Sequence, residues 1–224
     1  MGRVKGVKER LHMPIYDAFF VQKDGARNTF ESAMTDLRLI RFFVDVQNKT
    51  KLETNLQASG VLPSQNSFEC RALRVIASLP RKDVKTEIEA AGFKYAASGK
   101  APVDKETLVK EVLAALPSPD SFLTDLIYYS VTSLLVGEKV MIEVPTFYFP
   151  AGAGVNGGNG TVINHGEPDP MATFRFAEPV IIEPNQNFRV EMLFPQGVPD
   201  TLRPVKGPLR VWVALDGYLT RDVQ

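Results

Sequence analysis

Residues with the right types and spacing for chemistry are few in this chain, and each group breaks down at a particular step. Gly152, Gly154 and Gly157 match the G-x-G-x-x-G spacing of a dinucleotide-binding turn. That motif works only where the loop opens a helix whose free N–H groups hold a pyrophosphate. Here Asn156-Gly157-Gly158-Asn159-Gly160 follows, which resists helix formation, and no βαβ pattern surrounds it. The stretch from Ala151 to Gly160 therefore reads as a flexible surface loop.

Metal and nucleophile chemistry meet similar obstacles. The chain has two histidines, His12 and His165, far apart in sequence. The multi-histidine cluster of a metal-dependent β-barrel enzyme is thus missing. His165, Glu167 and Asp169 share one Gly- and Pro-rich loop; they read either as a weak cation site or as polar residues that solvate the loop. Cys70 lies on the apolar side of a predicted strand, where cysteine behaves as a small hydrophobe. Ser64, Ser67, Ser118 and Ser121 fall at turns or helix starts, where capping accounts for them, and no G-x-S-x-G elbow occurs. A facing pair of carboxylates of the glycosidase kind has no positive support. The expectation is a protein that is not an enzyme and has no catalytic residues, metal or cofactor.

Composition narrows the classes further. With 224 residues and 44% apolar content the chain can bury a full core. Its 26 basic and 26 acidic residues cancel, so no global field draws it to nucleic acid, and any polyanion contact is local. A single cysteine excludes an internal disulfide framework and fits folding in a reducing cytosol. The start of the sequence lacks a secretory h-region, and no apolar run is long enough for a membrane span, so the chain reads as soluble and unprocessed. Without a secretory route, the N-x-[ST] matches at Asn48 and Asn159 carry little. Arg3, Lys5, Lys8 and Arg10 stand against Glu9 alone in the first ten residues. They read as a mobile basic arm or as an ordinary frayed terminus.

The elements that must position these groups are mostly strands. Phe188, Val190, Met192 and Phe194 alternate with Arg189 and Glu191, and Leu209, Val211, Val213 and Leu215 alternate with Arg210, Trp212 and Asp216. A period of two places one set in a core and the other toward solvent or a neighbour. Similar alternation predicts a strand over Arg38 to Val46. Over Ser67 to Ile76 the apolar phase switches from Phe68, Cys70 and Ala72 to Leu73 and Val75, which predicts a bulge or a sandwich corner. Leu126 to Leu135, a turn at Gly137 and Val140 to Val144 read as a hairpin. Thr173 to Ala177 and Val180 to Ile182 read as short strands, and Asp216-Gly217 as a tight turn closing the last core strand. Between Pro80 and Pro117 the period changes: Lys82 to Ala91 and a stretch capped by Asp104 with Leu108, Val112 and Leu116 predict helices. About eight short strands separated by turn residues match a jelly roll. The fold expected is an all-β antiparallel sandwich, a single jelly roll with a short helical insertion over about residues 82–116. Residues 1–36 form an extended arm and lead-in, and 37–224 form the domain.

Three segments carry a resemblance. Phe149-Pro150-Ala151-Gly152-Ala153-Gly154, Ile182-Glu183-Pro184-Asn185-Gln186-Asn187-Phe188-Arg189-Val190-Glu191 and Leu209-Arg210-Val211-Trp212-Val213-Ala214-Leu215-Asp216-Gly217 together resemble jelly-roll capsid proteins of bacterial viruses. The likeness also touches Phe42 to Val46 and the region from Asn55 to Phe68. It implies a virion shell protein, synthesised in the host cytoplasm, whose partners are copies of itself and minor capsid proteins. The helical stretch has no counterpart in that pattern.

Two surfaces follow as expectations. Arg41, Asp45, Arg189, Glu191 and Arg210 offer mixed charge for subunit register. Trp212 is either an interface anchor or a residue packed beneath the helical insertion. The basic arm with Arg3, Lys5, Lys8 and Arg10 touches nucleic acid, a membrane surface or a neighbouring subunit. The competing class is a carbohydrate-binding or adhesin-like module using Tyr16, Tyr128, Tyr129, Phe147, Tyr148 and Tyr218.

Overall fold

The computed structural model describes residues 8–34, 36–63, 65–78, 119–150, 156–157, 163–164 and 173–222. The predicted helices within 82–116 lie outside these residues, as do Arg3, Lys5, His165, Glu167 and Asp169.

Two antiparallel sheets face each other. The first contains β1 (Lys8–His12), β2 (Ile15–Val21), β4 (Ser67–Ala77), β9 (Arg175–Ile182) and β11 (Leu209–Asp222). β11 is long enough for β1 and β2 to lie end to end along one of its edges, with β4 on the other edge and β9 beyond it. The second sheet runs β3 (Leu39–Phe42), β10 (Phe188–Leu193), β5 (Val131–Val136), β6 (Lys139–Pro145). Counting β1 and β2 as one broken strand leaves eight, ordered 1-8-3-6 in one sheet and 2-7-4-5 in the other. That is the double Greek key of a single jelly roll. A separate pair, β7 (Asn156–Gly157) and β8 (Ile163–Asn164), lies within the glycine-rich stretch.

Strand direction then fixes the two ends. The strand ends that flank connections 22–38, 78–130, 146–174 and 194–208 all lie at one end, whereas those that flank 43–66, 137–138 and 183–187 lie at the other. At the first end, α1 (Phe30–Ala33) begins with a reciprocal Thr29–Ser32 capping box. It drops Phe30 into the mouth of the sandwich, where the ring meets Phe19, Phe122 and Phe194 edge-on at centroid distances of 5.4 to 6.3 Å. Phe122 belongs to α2 (Pro119–Tyr128), which buries Phe122, Leu123 and Leu126 along one face. The core between the sheets takes the inward side chains of both alternations, with Leu209, Val211, Val213 and Leu215 opposite Phe42, Val190, Met192 and Leu134. Burying each of these apolar groups contributes about 1.5–3 kcal/mol.

Several boundaries differ from the sequence expectation, each for a local reason. Within the lead-in assigned to residues 1–36, Lys8–His12 and Ile15–Val21 are strands of the first sheet, and β2 buries Ile15, Asp17, Ala18 and Val21. The strand from Arg38 stops at Phe42, because Phe43 turns into the left-handed region at φ 68° and its N–H is captured by the Asp17 carboxylate at 2.7 Å. Val44 is consequently exposed. Leu126 belongs to a helix, since Phe122, Leu123 and Leu126 recur at helical spacing, and the hairpin strand starts at Val131. The short strands after Thr173 are one strand, β9, interrupted in pattern by Pro179 on its exposed edge. Asp216-Gly217 is no turn. The strand continues to Asp222 across a register shift, matched on β4 by another shift between Cys70 and Ala72. The phase switch in β4, which reads in sequence as a bulge or a sandwich corner, is thus a bulge.

Candidate functional site

Surfaces are where this fold presents chemistry, and four places on the described residues gather polar or aromatic side chains. On the outer face of the second sheet, Glu191 accepts from Arg189 Nε at 2.8 Å and lies 3.7 Å from Arg41 Nε. Ser133 donates to Glu143 at 2.9 Å on the same face. Around these ions stand Val140, Met141 and Leu193, which are 48%, 37% and 41% exposed. No chain segment described here crosses that face, so it is a mixed apolar and charged surface of the kind that fits a protein neighbour.

The outer face of the first sheet is divided. Over its upper half the 43–66 connection folds back: Trp212 Nε1 donates to the Leu52 carbonyl at 2.8 Å and Arg210 Nε to Glu53 at 2.7 Å. Arg210 also lies over the Phe20 ring at 4.5 Å. Burial would raise the Glu53 pKa, but bonds from Thr50 and Arg210 hold the carboxyl below its ordinary value. On the inner side of β2, where Asp17 is the register partner of core residue Val213, the same connection supplies Lys49: Asp17 is fully buried, with Lys49 Nζ 2.9 Å from each carboxylate oxygen. Burial pushes Asp17 up, and Lys49 with the Phe43 and Ala18 amides only partly offsets it.

The lower half carries a cluster centred on Tyr218. Arg10 and Arg71 lie over its ring at 4.3 and 5.1 Å, and both guanidiniums bond Glu69 at 2.6 Å. His12, the register partner of Tyr218, places Nε2 2.9 Å from Asp216, which Arg74 also binds. Burial would raise Asp216, but the Arg74 and His12 contacts prevail and hold it low. Every acid here is already engaged by a cation.

The fourth place is an aromatic ladder at the end with the long connections. Tyr128 stacks on Phe147 at 5.8 Å and Phe147 on Tyr148 at 4.8 Å, and Tyr148 meets Phe174 edge-on at 5.5 Å. Tyr128, Phe147 and Tyr148 are exposed.

The residues singled out by sequence are thus sorted. Arg41, Arg189 and Glu191 come together on one outer face, while Arg210 and Trp212 lie on the opposite one beneath 51–53. Asp45 is exposed in the connection after β3. Lys8 and Arg10 are paired in β1 with Asp222 and Thr220. Of the tyrosines, Tyr128 and Tyr148 join the ladder with Phe147, whereas Tyr16 donates to the Lys51 carbonyl and Tyr218 lies between arginines. Cys70 is buried, and burial pushes its thiol far up. Among the described residues no three His, Cys, Asp or Glu side chains converge as a metal site, and no helix is long and apolar enough to cross a membrane. The Asp17–Lys49 pair and the Tyr218 cluster were not anticipated. The only linear signal for the second was the same-face spacing of Glu69 with Arg71 and of Asp216 with Tyr218.

These features define an eight-stranded jelly-roll sandwich with one mixed face that no described segment crosses. No family model matches the chain, and comparisons with curated proteins and with solved structures find no match.

Proposed function

We propose that this chain is a structural virion protein, a self-assembling capsid subunit of a bacterial virus with no catalysis of its own. The observation that carries this reading is the outer face of the second sheet, crossed by none of the described segments, where Val140, Met141 and Leu193 surround the Arg189–Glu191–Arg41 ions. Apolar contact supplies affinity between copies, and the ions set register. The jelly-roll strand order and the resemblance of the 149–154, 182–191 and 209–217 segments support the viral setting. Size-exclusion chromatography with light scattering, followed by electron microscopy, tests it: closed shells, sheets or ring-shaped oligomers are expected. Met141→Glu with Leu193→Lys should leave a folded protein that no longer associates. A wild-type chain that stays monomeric up to high concentration overturns the reading.

A second reading is favoured by one observation, the exposed Tyr128–Phe147–Tyr148 ladder. Aromatic rings at a sandwich end bind sugars in carbohydrate-recognition modules. Glycan-array binding by a stable monomer, lost in Phe147→Ala, would establish it.

A further inference from the structure

We infer that β1 is an exchangeable strand, able to leave its own β11 and occupy the equivalent place on a second copy of this chain. The inference rests on the self-assembly reading and specifies how two copies are tied together.

The first observation is an abrupt change in anchoring. β2 buries Ile15, Asp17, Ala18 and Val21, whereas no side chain of β1 is buried. The boundary is Met13–Pro14. Immediately after it the chain is clamped by Asn55, whose Nδ2 donates to the Pro14 carbonyl at 2.8 Å and whose Oδ1 accepts from Tyr16 N at 3.0 Å. Before it, β1 is held by pairing with β11, by Arg10 lying over the Tyr218 ring at 4.3 Å and by ion pairs whose bases, Arg10 and His12, are 51% and 61% exposed and whose acids, Glu69 and Asp216, are 23% and 19% exposed. None of these contacts buries a β1 side chain, so β1 opens locally at lower cost than β2, which stays in place.

The second observation is specificity. From one strand, Glu9 bonds Arg221 at 2.8 Å, Arg10 bonds Glu69 at 2.6 Å and His12 bonds Asp216 at 2.9 Å. The order acid, base, base along β1 is read by base, acid, acid across β11 and β4. A strand from another copy makes identical bonds, so exchange loses no contact and needs only a changed hinge. Pro14 favours extended backbone at Met13, which keeps a released β1 reaching outward rather than folding back. The vacated edge of β11 would otherwise stand as an unpaired edge, which an incoming strand covers.

Full-length chains test this by cross-linking. Lys8 and Asp222 are register partners at the exposed end of the pair, and neither belongs to the ion pairs above. Lys8→Cys chains and isotopically heavy Asp222→Cys chains are mixed before assembly and treated with a short bis-maleimide; buried Cys70 does not react. A chain carrying both substitutions serves as the intrachain reference. The expected result is light–heavy dimers joined through positions 8 and 222 in the assembled fraction, abolished by Arg10→Glu with His12→Asp. Assemblies in which the double variant links only within itself and the mixed chains stay unlinked overturn strand exchange while leaving self-assembly standing. Full-length chains that remain monomeric by light scattering overturn both.

Discussion

Gly217→Ala should be among the most damaging single-methyl additions among the described residues of this protein. Gly217 sits at the register shift where β11 passes β4, and a Cβ built there would lie 2.0 Å from the Glu69 carbonyl oxygen, 2.9 Å from its carbon and 3.1 Å from Cys70 Cα. Non-bonded heavy atoms rest at about 3.5 Å or more, and all three obstacles are backbone. No side chain can rotate away, so relief requires moving two central strands whose inward residues, Phe68, Cys70 and Leu219, are packed in the core. Overpacking of this type costs about 1–3 kcal/mol, with rigid backbone at the top of that range. Gly137→Ala is the matched control. Its φ of 60° strains any side chain, but nothing lies within 4 Å of the added methyl, so the cost is confined to about 1–2 kcal/mol of backbone strain. Urea unfolding of dilute monomer, followed by fluorescence of the lone Trp212 on the same strand, measures both. Equal losses at the two positions would refute the claim that close strand approach, rather than backbone angle, demands glycine at 217.

Phe30→Ala removes the ring that Phe19, Phe122 and Phe194 enclose; a loss of about 3–5 kcal/mol is expected, read as a lowered urea midpoint. Lys49→Met leaves Asp17 buried without its cation. A carboxyl raised in the folded state contributes stability that is complete below its unfolded pKa and lost as pH rises through the folded one. The variant should therefore fall further behind wild type at pH 8 than at pH 5, by about 3–5 kcal/mol at the alkaline end; a pH-independent difference would count against the burial argument. Asp216 is the opposite case: its carboxyl is held low, so its contribution is complete above the ordinary value of 3.8 and lost as pH falls below it. Asp216→Asn should cost about 1 kcal/mol at neutral pH and lie closer to wild type at pH 3 in thermal melts.

Side-chain alternation made the sandwich legible because a period of two is written in consecutive residues. β10 and the first half of β11 lie where Phe188 to Phe194 and Leu209 to Leu215 placed them, and the bulge in β4 was visible as the shift from Cys70 to Leu73. Features that depend on partners distant in sequence were not visible. Gly217 reads as a turn until Glu69 is known to lie against it, and the strand from Arg38 has no local reason to stop before Asp17 takes the Phe43 amide. The same limit hid the surfaces. Arg41, Arg189 and Glu191 were recognisable as outward residues, but their meeting depends on β3 lying beside β10. Trp212 likewise meets the Leu52 carbonyl, a partner 160 residues away that no local pattern shows.

The uneven distribution of connections has an evolutionary consequence. Because the strand ends that flank the connections from β2 to β3, β4 to β5, β6 to β9 and β10 to β11 share one pole, extra sequence can be inserted there without interrupting either sheet. The opposite pole is closed by the 137–138 and 183–187 links together with the 43–66 strap that is fastened to the first sheet. Change in sequence and length at the crown is thereby separated from the packed flanks of one small protein.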